Sequence, residues 1–265
     1  MKGSPVYLSS IYFTEVAIAI LMQVIGLYLL LTVKPKKPMD LLLVNLILIE
    51  ILLEILYVRE WHDLPPLLKN WADRVIAWAV YYQTLSLIMI DRVLAVKLTL
   101  HYQLKVTKRK IIVALLTIWL IGILHGIAAW LNANTRIIVY HGWSCIVIII
   151  FTVGYIFILT TVNKSRRLLP CANAARAQRR LKYRVPFFII LSFIAFNVVP
   201  MLAYYVLKKN LDLFIAIGVV NFIADQLIYT LGTWRLRERI KNLLYKGCIN
   251  IGTSQENSDI RESSF

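Results

Sequence analysis

The sequence is short of most of what a soluble enzyme needs. Only 14 of its 265 residues are Asp or Glu, against 30 Lys and Arg, and its four histidines, His62, His101, His125 and His141, are scattered. No zinc-ligand spacing and no Gly-rich phosphate loop occurs, which argues against an enzyme, a resident metal or a cofactor. The three cysteines stand at Cys145, Cys171 and Cys248. Only the first falls on the side that the topology below places outside, so no intramolecular disulfide is expected to staple the outer face. No Asn-x-Ser/Thr acceptor lies on an expected outer segment, Asn163 being on the inner side. A cleavable leader is not expected either, because the first apolar run is long enough to span and no small-residue cleavage pattern follows it.

What the chain has instead is apolar length. Hydrophobic residues make up 59% of it and its mean hydropathy is +0.68, more apolar surface than one soluble core can bury. The apolar residues gather into seven runs, at 11–33, 39–58, 71–98, 111–131, 143–162, 185–207 and 211–233. Each is near the ~20 helical residues that cross a hydrocarbon core of ~30 Å. The reading is an all-α membrane protein: a seven-transmembrane-helix bundle followed by a short amphipathic interfacial helix.

The formal charge of +16 does not point to nucleic acid, because the cations fill alternate gaps between the runs. The inner gaps and the tail hold 22 of the 30 Lys and Arg, and the outer side holds Lys2, Arg59, Lys69, Arg74, Arg136, Lys208 and Lys209. The positive-inside rule then places the amino terminus outside and the carboxyl terminus in the cytoplasm. The expected organisation is an extracellular stretch at 1–10, a membrane domain over 11–233, an amphipathic juxtamembrane helix over 234–248 and a disordered cytoplasmic tail over 249–265. In the third of these, Leu236, Ile240, Leu243 and Leu244 share one face, and Cys248 beyond them is a candidate lipidation site. Short connections are expected at 34–38, 59–70 and 132–142. The largest inner loop, 163–184, carries eight basic residues and no acid, suited to anionic lipid head groups or to an acidic partner.

Ionisable side chains inside a bilayer are costly and need a reason. Glu15, Glu50, Glu54, Asp91, Arg92 and Asp225 are the candidates. Glu15 sits near a helix end, where snorkelling accounts for it. Asp91 and Arg92 are adjacent at the inner end of the third run, where an acid can hold a guanidinium as a switchable donor.

The stretch Ser86-Leu87-Ile88-Met89-Ile90-Asp91-Arg92-Val93, with Tyr102 and the basic Val106–Lys110 run beyond it, resembles the end of the third helix in rhodopsin-like G-protein-coupled receptors. The resemblance implies that Asp91 restrains Arg92 at rest, and that the released Arg92 meets the carboxyl-terminal helix of a heterotrimeric G protein. Nearly the whole chain follows in register. Asn45-Leu46-Ile47-Leu48-Ile49-Glu50 is similar to the second-helix motif, Trp119 to the fourth-helix Trp, and Tyr155 to the fifth-helix Tyr. Pro200 looks like the sixth-helix kink, and Asp225-Gln226-Leu227-Ile228-Tyr229 like the seventh-helix motif. The family's polar core would fall on Asn45, Glu50, Asn221 and Asp225, and its activation switch on Asp91, Arg92, Tyr155 and Tyr229.

The departures are informative. The third helix lacks its outer Cys, the fifth lacks its Pro, and the seventh-helix acid is Asp225, traits similar to the melanocortin, adenosine and cannabinoid group. Gln226 stands where Pro is usual, and the Trp ordinarily before Pro200 is missing. Tyr81 and Phe222 replace small hydroxyl residues beside the inner sodium pocket, so no metal site is expected. Where amine receptors carry an Asp, this chain has Arg74, so the extracellular ligand is not expected to be a biogenic amine; Arg74 and Trp78 are candidate pocket residues. The expected function is transduction of an extracellular signal across the plasma membrane to a heterotrimeric G protein. The alternatives are a signalling-deficient decoy or partner receptor and, further off, a small transporter.

Overall fold

The structure, a computed structural model, describes residues 6–32, 37–61, 71–98, 101–168, 188, 191, 192, 194, 195, 199, 220–228, 236–238 and 240–242. The described residues contain six helices and no strand: α1 (Val6–Thr32), α2 (Pro38–Trp61), α3 (Trp71–Leu98), α4 (Tyr102–Lys105), α5 (Lys108–Leu131) and α6 (Ala133–Leu168). A further helical stretch covers 220–228. Pro200, Tyr229, Cys248 and the tail at 249–265 lie outside the described residues, as do most of the sixth and seventh expected runs.

Among the described residues, four helices contain a segment long and apolar enough to cross a membrane: Phe13–Thr32 in α1, Ala72–Leu98 in α3, Lys108–Leu131 in α5 and His141–Thr161 in α6. The distribution of side chains is that of a lipid-solvated bundle. α5 turns Ile112, Leu116, Leu120, Ile123, Leu124, Ile127 and Trp130 outward, while Gln23, Asn45, Glu50, Glu54, Gln83, Thr84, Ser86, Asn221, Asp225 and Gln226 are buried. In water such an apolar outer face would be an aggregation surface. In a bilayer it is the solvated face, and polar groups retreat to where they find partners.

α3 is the axis of the bundle and packs against α2, α5 and α6, with α1 laid on α2. Its approach to α5 is set by two glycines four residues apart. A Cβ on Gly122 would stand 2.6 Å from Val80 Cγ2, and one on Gly126 would run into Ile76 of α3. This small-x-x-x-small spacing lets backbones close without relying on a hydrophobic drive that lipid does not supply. α6 meets the other side of α3 through Gly154, whose Cβ would fall 2.8 Å from Met89 Cε and 3.2 Å from Val93 Cγ2.

The expected outer connection at 132–142 is shorter than the sequence suggested. Only Asn132 separates α5 from α6, with extended backbone (φ −140°, ψ 118°) and its N–H bonded to Ala128 O. The polar stretch Asn134–Arg136 looked like a loop but holds no Pro or Gly, and it forms the first turns of a 36-residue helix. At ~1.5 Å per residue that helix is ~54 Å long, well beyond a ~30 Å core, so its polar ends project past the apolar centre. Below the bundle, His101 opens the single turn α4, Val106 is extended, and Thr107 caps α5 by accepting from Lys110 N at 3.4 Å. Of the segment after the last run, Leu236 is buried against the core with Ile240 beside it, while Lys241 is exposed.

Candidate functional site

The carboxyl-terminal end of α3 brings three expected features together. Asp91 is almost fully buried and Arg92 partly exposed, their side chains being 2% and 30% accessible, and Arg92 Nη2 lies 3.2 Å from Asp91 Oδ2. The Tyr102 hydroxyl donates to the other carboxyl oxygen, Asp91 Oδ1. The acid is thus held between a cation on its own helix and a phenol from the following turn, α4. Burial first, and then the Asp91 carboxylate it faces, push the Tyr102 hydroxyl well above its ordinary pKa of ten. Tyr102 therefore remains a neutral donor throughout the physiological range. The turn that carries it is fixed by Val106 N bonding to Tyr102 O at 2.8 Å and by Lys110 Nζ bonding to Lys105 O at 2.9 Å. Asp40, which caps the start of α2 by accepting from Lys37 N at 2.7 Å, adds negative potential at Tyr102. Tyr155 is half-buried on α6 next to Gly154, which rests on Met89 and Val93. That contact sets Tyr155 at the level of the Asp91–Arg92 pair.

Above this latch lies a chain of buried polar contacts. Trp119 Nε1 donates to Asn45 Oδ1 at 2.9 Å, Asn45 Nδ2 donates to Thr84 Oγ1 at 2.9 Å, and Thr84 in turn bonds Val80 O. One asparagine on α2 thereby ties α3 to α5. A second group surrounds Asp225. Its Oδ2 accepts from the Tyr81 hydroxyl at 3.1 Å and from Asn221 Nδ2 at 3.0 Å, and Ser192 donates to Asn221 Oδ1 at 2.8 Å. Glu50 Oε2 accepts from Gln226 Nε2, and Glu54 Oε1 from Gln23 Nε2, both at 2.7 Å.

The expected polar-core residues Asn45, Glu50, Asn221 and Asp225 are therefore all buried, but they do not share one hydrogen-bonded group, Glu50 being bonded by Gln226. Asn45 belongs to the Trp119 group, and Asn221 and Asp225 to the Tyr81 group. Among the described residues no group of three or more His, Cys, Asp or Glu is placed to hold a metal ion. Trp78 is closed into an aromatic cluster, with ring centroids 5.5 Å from Tyr81, 5.2 Å from Tyr82 and 6.5 Å from Phe222. Arg74, one turn toward the start of α3, is half-buried.

Sequence reasoning missed the roles of Tyr102, Thr84, Gln23, Gln226 and Ser192. Each is a donor or acceptor whose partner lies on another segment of the chain, so that polar residues in apolar runs are visible in the sequence but their pairing is not. The residue at 226 is the clearest case. As a missing proline it reads as a loss, but as a buried amide it satisfies Glu50. No protein-family model matches the chain, and no curated protein matches it in sequence.

Proposed function

We propose that this chain is a seven-helix receptor that couples an extracellular signal to a heterotrimeric G protein at the cytoplasmic side of the plasma membrane, amino terminus outside. The observation that carries the reading is the Asp91–Arg92 pair, buried on one side and open on the other, and capped by Tyr102. α2 is counted as a span because it lies between α1 and α3 and buries Glu50 and Glu54 inward, and the remaining spans are assigned to the sixth and seventh apolar runs.

Mechanistically, Asp91 and Tyr102 hold Arg92 against its own helix. A signal that favours a more open inner face need only weaken this latch, releasing the guanidinium toward an acceptor on the G protein. Tyr155 stands on α6 at the height where the released side chain would pass. Arg92 already exposes part of its side chain, so the step is a rotamer change with little new desolvation. The nucleotide chemistry belongs to the partner, and the chain itself is not an enzyme. The exposed cations Lys105, Lys108, Arg109 and Lys110 border the latch and favour acidic protein surfaces and anionic lipid. The extracellular ligand is not a biogenic amine, Arg74 standing where a cation would need an acid.

The test is guanine-nucleotide exchange on purified heterotrimers of each main class, driven by the chain in lipid nanodiscs. Faster exchange with one class, lost in Arg92→Ala, supports the proposal. No acceleration with any class, under conditions where the chain is folded and any bound ligand is retained, favours the decoy reading, to which the replaced prolyl position at Gln226 already lends weight.

A further inference from the structure

α2 carries two acids one helical turn apart, and an amide from a different helix reads each of them. Gln23 of α1 donates to Glu54, and Gln226 of the 220–228 stretch donates to Glu50. The three segments converge where Gly26 of α1 leaves room for Gln226, whose Oε1 is 2.8 Å from the place a Cβ would take.

Glu54 and Gln23 are both fully buried. Once Gln23 Nε2 has bonded Glu54 Oε1, the atoms of this pair left without a partner are Glu54 Oε2 and Gln23 Oε1. Both are acceptors if Glu54 is a carboxylate, so two buried oxygens would remain unsatisfied beside a full charge in apolar packing. The neighbouring helices bring no compensating cation among the described residues. Glu50 on α2 and Asp225 on the last stretch are acids, Glu15 lies two turns outward on α1, and the cations Lys108, Arg109 and Lys110 sit at the inner start of α5. α3 contributes Asp73 and Arg74 at its outer end, and the bond that Glu54 accepts comes from Gln23.

We propose that Glu54 and Gln23 form a proton-binding site that clamps α1 to α2. The bound proton sits on Glu54 Oε2 and is donated to Gln23 Oε1, while Gln23 Nε2 donates to Glu54 Oε1. One proton turns two orphaned acceptors into a reciprocal acid–amide pair. The inference stands on this geometry and is independent of the receptor reading.

Infrared difference spectroscopy of the full chain in lipid nanodiscs at neutral pH tests it. Wild type minus Glu54→Gln should show one carboxylic-acid C=O band that shifts on exchange into D2O. Gln23→Leu should keep that band but move it to higher frequency, as the hydrogen bond to the amide is lost. Glu54→Gln is isosteric with the neutral acid and can form the same two bonds, so it should fold. A difference spectrum containing carboxylate bands in place of the acid band would overturn the proposal, and so would an acid band unmoved by Gln23→Leu.

Discussion

On the proposed receptor mechanism, removing one oxygen from Tyr102 should switch signalling partly on. In Tyr102→Phe the ring still fills its half-buried place, but Asp91 Oδ1 loses its phenol donor and the carboxylate keeps only the 3.2 Å contact of its Oδ2 with Arg92 Nη2. A hydrogen bond to a charged group is worth about 1.5–3 kcal/mol. The partial exposure of Tyr102 places this one at the lower end, so the engaged state loses about 1.5 kcal/mol, a shift of roughly tenfold toward released Arg92. In cells with matched surface expression, ligand-free second-messenger output should rise toward tenfold, unless it saturates. Tyr102 is held above its ordinary pKa. Its bond is thus fully present below the unfolded phenol value of about 10 and is lost only as pH climbs beyond that. The same ratio of mutant to wild-type output is therefore expected at about pH 6 and about pH 8. Unchanged or reduced output in Tyr102→Phe would refute the latch, because a donor that restrains Asp91 cannot be removed without loosening Arg92.

Asp91→Asn should raise ligand-free output as well, and combined with Tyr102→Phe it should add less than the two single effects together, since both act on one pair; strict additivity in that double-mutant cycle would contradict the shared latch. Trp119→Phe removes the donor to Asn45 and should lower the thermal midpoint by an amount corresponding to about 1 kcal/mol, read by a thiol-free melt in nanodiscs. Gly126→Val places a branched side chain where even a Cβ meets Ile76, and should cost about 1–3 kcal/mol by overpacking the α3–α5 contact, seen as reduced surface expression rescued by Ile76→Ala. Gln226→Leu leaves Glu50 without its amide donor and should destabilise by about 1–3 kcal/mol, whereas Gln226→Asn should recover part of that loss in the same melt.

The membrane class was legible because it is a matter of composition: long apolar runs and cations sorted into alternate gaps depend on no pairing between distant residues. The Asp91–Arg92 pair was legible for the same reason, both partners being neighbours in sequence. Tyr102 was visible as a residue but not as a donor, because its reach back to α3 depends on the single turn α4 and the extended Val106. Nothing in the sequence marks the two glycines at 122 and 126, and their contact with Ile76 and Val80 explains why side chains are absent there. The loop expected over 132–142 failed because polarity was taken for irregularity, whereas polar residues at the end of a membrane helix continue it into water. Glu54 stood out as an expensive buried acid, but the amide that shares its proton comes from α1, and no spacing rule links positions 23 and 54. Trp78 was read as a candidate pocket residue, and its packing against Tyr81, Tyr82 and Phe222 gives it a place in the aromatic core.

The most direct measurement is ligand-free second-messenger output in cells expressing wild type, Tyr102→Phe and Tyr102→Phe/Arg92→Ala at matched surface levels, across reporters for the main G-protein classes. The latch mechanism predicts a rise in one class with Tyr102→Phe and its complete loss when Arg92 is also removed. Output that survives the loss of Arg92 would contradict the coupling role assigned to that residue, and with it the central claim.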